Sequence, residues 1–280
     1  MKILIGLPTN DSRVNLHVVQ SLIDQLGDIL QDAVVQTCIV SQTLIYTARN
    51  AIADAAVNGG YDYLMFVDSD CVLPKNAIAR LLNHNKDIVS GMYFQKAAPF
   101  LPVIYRKNEM GLFDVIVDYP ENALIEADGI GMGVCLIKTD VLRKVIDKNH
   151  TDVKLDKAAT EWLTEQAKTR GMTRLEILKE ITKAGVIDMD VPKELYNQFY
   201  VYVKSVKGPF DPYIYPNGIY VNAEDLAFCI RAKDIGYKIW VDTGVQAQHQ
   251  GNNYITEWYH KETLKRAEKQ ALLNTTQKER

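Results

Sequence analysis

Tyr63-Leu64-Met65-Phe66-Val67 is an uninterrupted apolar run that passes directly into Asp68-Ser69-Asp70. Such a run, with no polar alternation, reads as a strand buried on both faces, the kind found in parallel sheets covered by helices. The neighbouring chain repeats the theme. Residues 3–7 form a short apolar strand closed by Pro8-Thr9-Asn10, and residues 14–30 place Val14, Val18, Leu22 and Leu26 at helical spacing. Residues 34–40 read as a second strand, and alanine-rich 47–57 as a helix closed by Gly59-Gly60. Downstream, Pro74 opens a helix at a position where its missing N–H costs nothing, and residues 88–94 return as a strand. Strands alternating with helices predict an α/β fold with a mostly parallel sheet flanked by helices.

From Pro99 the rhythm changes. Residues 103–106 and 112–117 flank Asn108-Glu109-Met110-Gly111 as a hairpin, and Gly129-Ile130-Gly131-Met132-Gly133 leads into a strand at 134–137. Thr139-Asp140 starts a helix through Ile146. Residues 150–195 read as a separate small helical insertion: a strand at 152–155, then a helix carrying Ala159, Trp162 and Leu163 and stopped by Gly171. A capping box from Thr173 to Glu176 opens a second helix ending near Gly185. The α/β pattern resumes with a helix at 222–234, strands at 238–241 and 244–248, and an amphipathic terminal helix at 255–273. Two stretches, 1–149 and 196–280, are therefore expected to make one domain interrupted by the insert.

The 280 residues suffice for a substantial core, and 47% hydrophobic with 24% charged is an ordinary globular balance that excludes a disordered or fibrous chain. Lys+Arg number 32 against 35 Asp+Glu, a formal charge of −3. The basic surplus of a protein that lives on duplex nucleic acid is missing. Cys38, Cys71, Cys135 and Cys229 lie far apart beside apolar runs and read as buried free thiols rather than a disulfide scaffold or zinc knuckle. The N-terminal apolar run is too short for a signal peptide, and no stretch approaches the roughly 20 apolar residues of a membrane helix. A soluble, cytoplasmic protein without stable membrane insertion is expected. The terminal helix, with Trp258, Tyr259, Lys261, Lys265, Arg266 and Lys269, suits packing on the domain and also a membrane surface.

Three groups of residues carry chemistry. Asp68 and Asp70 leave the carboxyl end of a strand, where open α/β sheets bind ligands, and hard divalent cations are held by such carboxylates together with substrate phosphates. An acidic turn that merely ends a strand has the same composition. Glu224-Asp225 opens a helix, which suits either the helix dipole or a general base held on a rigid element. His249 follows a strand and precedes a Gly/Asn loop; with Asp70 it offers imidazole plus carboxylate to Mn²⁺ or Mg²⁺. Gly129, Gly131 and Gly133 precede a strand instead of joining strand to helix, so they are not a dinucleotide fingerprint; they permit close approach of backbone to a ligand.

Taken in order, these stretches resemble the GT-A nucleotide-sugar glycosyltransferases, in particular the large family 2 group and its phage and bacterial relatives. The resemblance rests on residues 6–9, Ala48-Arg49-Asn50-Ala51-Ile52-Ala53, residues 64–70, residues 131–137, and Glu224-Asp225-Leu226-Ala227-Phe228-Cys229-Ile230-Arg231 followed by residues 236–242 and His249. It spans about 1–148 and 205–255. It implies a Rossmann-like GT-A sheet and transfer of a sugar from a nucleotide-diphosphate sugar, a UDP-sugar foremost, to an acceptor hydroxyl that the sequence leaves open. By that resemblance Asp68 lies near the donor ribose and metal-bound water, Asp70 and His249 ligate Mn²⁺ or Mg²⁺ with Asp68 beside them, and Asp225 is the base of an inverting enzyme supported by Glu224. Pro8, Thr9 and Arg49 line the nucleotide pocket, and Gly131 and Gly133 let the chain pass close to the donor sugar.

Residues 150–195 depart from that family and resemble a ribbon-helix-helix unit, which implies a homo-oligomer formed through the insert. Its eight basic and nine acidic side chains do not suit DNA. Dimerisation, acceptor docking and a helical lid stay open. So do two alternatives to glycosyl transfer: a nucleotidyltransferase, and a non-catalytic nucleotide-sugar-binding or assembly protein.

Overall fold

The computed structural model describes residues 1–29, 33–184, 186, 189–221, 223–250, 254–257, 260–265 and 267. The first half runs β1 (Lys2–Thr9), α1 (Leu16–Ile29), β2 (Val34–Ser41), α2 (Ile45–Asn58), β3 (Tyr63–Val67), β4 (Cys71–Val72), α3 (Ala77–Asn83) and β5 (Ile88–Met92). Short strands follow: β6 (Ile104–Lys107), β7 (Phe113–Val115), β8 (Leu124–Ala127), β9 (Gly129–Ile130) and β10 (Val134–Lys138). Four helices come next: α4 (Thr139–Asp152), α5 (Lys157–Arg170), α6 (Arg174–Ala184) and α7 (Tyr196–Ser205). The chain ends its described part with β11 (Tyr213–Ile214), β12 (Tyr220–Val221), α8 (Glu224–Asp234), β13 (Ile239–Gln246), β14 (Gln248–Gln250) and β15 (Tyr254–Ile255).

The central sheet has seven strands in the order β2-β1-β3-β10-β5-β13-β8. β1, β2, β3, β5 and β13 share one direction, and β10 and β8 run against them. This is the mostly parallel α/β sheet expected from the sequence. Strand side chains alternate between faces, and both faces are covered. Leu64 and Phe66 of β3, Ile88 of β5, and Cys135 and Ile137 of β10 enter one core beneath α2, α4 and α8. Their neighbours Met65, Val67, Val89, Val134 and Leu136 enter a second core beneath α1 and α3. Such double coverage explains why the strands read as continuous apolar runs rather than alternating ones.

Several boundaries differ from the sequence reading. Pro74 opens a turn, not a helix: α3 starts at Ala77, after Asn76 has taken a left-handed conformation at φ 59°, which a short polar side chain tolerates. The two strands expected at 238–248 are one, β13, whose pairing with β5 shifts register between Asp242 and Gln246. The buried Asp242 carboxylate anchors that irregularity, accepting from Arg80 Nε at 2.6 Å, Arg80 Nη2 at 2.7 Å and the Gly244 N–H at 2.9 Å. Of the terminal helix, residues 257, 260–265 and 267 are helical; Trp258, Tyr259, Arg266 and Lys269 lie outside the described residues. Cys71, Cys135 and Cys229 are buried free thiols, as read, and Cys38 is half-buried. Among the described residues no helix is long and apolar enough to cross a membrane.

In the region of the expected insert, the strand at 152–155 does not form. α4 runs on through Asp152, which pairs with Lys148 one turn earlier, and Asp156 already caps α5 by accepting from the Ala159 N–H at 2.8 Å. Too little chain is left between the two helices for a ribbon. The capping box is present: Thr173 Oγ1 accepts from the Glu176 N–H at 3.2 Å while Glu176 Oε2 accepts from the Thr173 N–H at 2.6 Å. Ala159, Leu163, Ile177, Ile181, Leu195, Phe199 and Tyr202 form a third core of their own. That packing carries the helical cluster past residue 195 to α7. It is tied to α4 by the buried His150, whose Nδ1 lies 2.6 Å from Tyr202 Oη.

Candidate functional site

The carboxyl ends of the parallel strands form one edge of the sheet, and the reversed strand β10 brings its opposite end there. Val134 of β10 stands opposite Val67 of β3, so residues 131–133, which enter β10, meet residues 68–70, which leave β3. The Asp68 N–H donates to the Gly133 carbonyl at 3.0 Å. Immediately afterwards β4 pairs with β14 and sets His249 opposite Cys71. Residues far apart in sequence thus become neighbours through strand pairing.

His249 is held by its own second nitrogen. Nδ1 lies 2.7 Å from the Phe94 carbonyl, which can only accept, so Nδ1 carries a proton and Nε2 is the nitrogen left to face Asp70 or a metal. Nε2 lies 3.4 Å from Asp70 Oδ1. A histidine oriented by a carbonyl behind it is the usual support of a metal-ligating imidazole. Asp70, Cys71 and His249 offer ligand atoms that all lie within 4.8 Å of one another, a group able to hold a metal ion. Burial opposes ionisation of Asp70, but His249 and Lys96 outweigh it and hold the carboxyl down at about 2. Cys71 is different. Burial, followed by the negative charges of Asp68 and Asp70, pushes its thiol well above the ordinary range. The Asp70 carboxyl is ionised at neutral pH, then, and the Cys71 thiol is protonated.

Asp68 is not one of that group. Its Oδ1 accepts from Arg49 Nη2 at 2.8 Å, and Arg49 Nε reaches Glu224 Oε1 at 3.2 Å. The Arg49 side chain is 3% exposed, so it lies beneath the site as a tie between two acidic motifs rather than along a nucleotide-facing surface. Burial works against its charge, and Asp68 and Glu224 more than compensate, raising its pKa. Its Nη1 is buried and has no hydrogen-bond partner.

Glu224 and Asp225 form the first turn of α8. Simple helix-terminus chemistry favours both as ionised. Asp225 does the reverse: burial first, then the charge of Glu224, pushes its carboxyl up to about 7, against opposing help from the Leu226 N–H and Arg49. A half-buried carboxyl poised at that value has the property of a general base.

Tyr93 is the residue the sequence reading missed. It follows β5, inside the stretch 88–94 that reads as a strand. Its hydroxyl accepts from the Gly133 N–H at 3.2 Å, and its ring meets His249 edge-on at 5.3 Å between centroids. A Cβ on Gly131 would lie 1.9 Å from Tyr93 Oη, and one on Gly133 would lie 3.0 Å from Asp68 Oδ2. The two glycines are small because Tyr93 and Asp68 occupy the space a side chain would need. Tyr105, whose hydroxyl is raised by burial and then by Asp225, and Lys96, paired with Asp70, were also missed. No pattern in the sequence marks either one. Pro8 and Thr9 are buried at the end of β1. Thr9 Oγ1 donates to the Arg13 carbonyl at 2.9 Å, and the loop they open reaches the site through the Asn15 N–H, 3.0 Å from the Ser69 carbonyl.

No protein-family model matches the chain, and no curated protein does. Among solved structures it is similar to A197 from STIV, at 18% identity and a TM-score of 0.45 over 90% of this chain and 86% of that one. It is similar to mannose-1-phosphate geranyltransferase from Thermus thermophilus, at 9% identity and a TM-score of 0.41, over 87% and 74%. A third likeness is 4-diphosphocytidyl-2C-methyl-D-erythritol synthase from Anaerococcus prevotii, at 9% identity and a TM-score of 0.32, over 56% and 81%.

Proposed function

We propose that the chain is a metal-dependent glycosyltransferase, moving a sugar from a nucleotide-diphosphate sugar to an acceptor hydroxyl with inversion. The supporting observation is the Arg49 tie. It joins Asp68, on the motif expected to receive the donor, to Glu224, the neighbour of a carboxyl poised at about 7. A cation-binding half joined to a proton-accepting half is what sugar transfer from a diphosphate requires. Asp70 and His249 would hold Mn²⁺ or Mg²⁺, which when bound offsets the negative charge that grows on a leaving diphosphate. Asp225 takes the proton of the attacking hydroxyl, a contribution of about 10²–10⁴-fold. Glu224 and Arg49 set the position and charge of that base. Gly131 and Gly133 keep the floor low, and Tyr93 holds their backbone in place.

The experiment is a panel of UDP- and other nucleotide-diphosphate sugars, with and without Mn²⁺, repeated on Asp70→Ala. Expected is metal-dependent release of the nucleotide diphosphate, lost in the variant. Release of pyrophosphate from a nucleoside triphosphate and a sugar phosphate would replace the reading by nucleotidyl transfer. Nucleotide-sugar binding without turnover of any donor would replace it by a binding protein. Assembly through the helical cluster is proposed with it: light scattering of the full chain should report a dimer, and a monomer at all concentrations would remove that part.

A further inference from the structure

We propose that Lys96 is a displaceable occupant of the cation site: its ammonium rests on Asp70 until a divalent cation arrives, then turns to the diphosphate of the donor. The inference depends on the metal-dependent reading above. Both Asp70 oxygens are engaged, Oδ1 facing His249 Nε2 at 3.4 Å and Oδ2 accepting from Lys96 Nζ. A cation held between Asp70 and His249 needs the same carboxylate, and it repels an ammonium left beside it.

The surroundings permit the exchange. The Lys96 side chain is 46% exposed, and Ala97 and Ala98 beside it are exposed too. The backbone is fixed at both ends of this turn. The Gln95 N–H donates to the Leu101 carbonyl at 2.9 Å, and the Phe100 N–H to the Ala97 carbonyl at 2.8 Å. Side-chain rotation alone therefore moves the charge. Exposed lysine–carboxylate pairs are weak, so releasing one costs a divalent cation little. Phosphate oxygens are the partner nearest to hand for the released charge, because a cation held by few protein ligands completes its shell with substrate phosphate, and lysine binds phosphate as a point charge. The same turn follows Phe94, whose carbonyl orients His249. One segment thus supports the imidazole ligand and carries the ion that stands in for the metal.

The test measures binding and not turnover. Mn²⁺ is titrated into the full chain without nucleotide, followed by the spin resonance of free Mn²⁺, for wild type, Lys96→Met, Lys96→Arg and Asp70→Ala. Inorganic pyrophosphate is then titrated calorimetrically without Mn²⁺ and at saturating Mn²⁺. Lys96→Met should bind Mn²⁺ about two- to five-fold tighter than wild type and pyrophosphate about ten-fold weaker. Lys96→Arg should stay near wild type in both, and Asp70→Ala should lose Mn²⁺. If Asp70→Ala loses Mn²⁺ while Lys96→Met binds it no tighter, or binds pyrophosphate as well as wild type, the role of Lys96 is overturned and the metal site stands. Mn²⁺ binding indifferent to Asp70→Ala overturns both. Pyrophosphate binding that requires Lys96 and ignores Mn²⁺ makes the lysine a permanent cation and overturns displacement.

Discussion

Replacing Asp225 by Asn should separate chemistry from stability, moving the two in opposite directions. The carboxyl sits at about 7 against an ordinary 3.8, first because burial strips its water and second because Glu224 adds negative charge. The folded chain therefore binds this proton more tightly than the unfolded chain. By linkage the fold loses stability as pH rises from about 4 to about 7, and the loss is complete above that. A move from 3.8 to about 7 sets an upper limit of about 4 kcal/mol. Because water reaches the half-buried group, about 1–2 kcal/mol is the expected size. Asn has nothing to ionise and keeps an oxygen for the Leu226 N–H, 2.8 Å away. Glu224, Asp68 and Arg49 face position 225 in both proteins. Urea unfolding without metal or nucleotide is the assay. Asp225→Asn should gain on wild type by about 1–2 kcal/mol between pH 3.5 and pH 8. Transfer should fall about 10²–10⁴-fold with nucleotide-sugar affinity retained, and the wild-type rate should climb through pH 7 as the base ionises. A stability difference that is the same at both pH values refutes the protonated, desolvated Asp225. Transfer at the wild-type rate refutes its role as base.

Arg49→Met removes the tie between Asp68 and Glu224 and leaves their charges uncompensated; urea unfolding should report a loss of about 3–5 kcal/mol, and a loss below about 1 kcal/mol would show the tie to be incidental. Two glycine substitutions should differ in sign. Gly131→Ala drives a methyl to 1.9 Å from Tyr93 Oη and should cost about 1–3 kcal/mol, whereas Gly27→Ala, on α1 with nothing within 4 Å, should gain about 0.5–1 kcal/mol; thermal melts decide. Tyr202→Phe leaves the buried His150 Nδ1 without its partner, and amide exchange should quicken across α5–α7 by the equivalent of about 1–3 kcal/mol while β1 and β3 are unchanged. Burial, then Lys179, lowers His150 to about 4 from 6.5, so the folded form favours the neutral ring; the helical cluster is fully stable above pH 6.5 and should loosen as pH falls from there towards 4.

The α/β sheet was legible because burial on both faces writes continuous apolar runs, and those around Met65, Val89 and Leu136 cannot be placed on a surface. Asp70 and His249 were legible as candidates because each leaves a strand end, the place where such sheets bind ligands. The strand at 152–155 was misread for a local reason. Alternating polar and apolar residues over four positions fit the last turn of α4, its exit and the Asp156 cap as well as they fit a ribbon. Arg49 was legible as a site residue only by resemblance, and its place beneath the site was not. Whether an arginine faces a pocket or lies under it depends on which carboxylates come to meet it from 19 and 175 residues away.

The direction of β10 is where the legible and illegible parts meet. In a purely parallel sheet the loop before a strand lies at the edge opposite the other strands' exits, so the close approach to a ligand expected of Gly131 and Gly133 needs a reversed strand. Because β10 runs against β3 and β5, its entrance lies at the same edge as their exits. Gly131 and Gly133 then fall beside Asp68 and Tyr93. No residue of β10 itself announces that reversal, since Val134, Cys135, Leu136 and Ile137 are as apolar as any parallel strand. The reversal brings the glycines to the acids, and the histidine joins them separately, through β14 on β4. A substitution that moved β10, such as Leu136→Ala at a fully buried position, should therefore weaken donor binding as well as stability, by about 2–5 kcal/mol for the latter. A variant that lost the stability and kept donor affinity at native temperature would show the glycine turn to be held by Tyr93 alone.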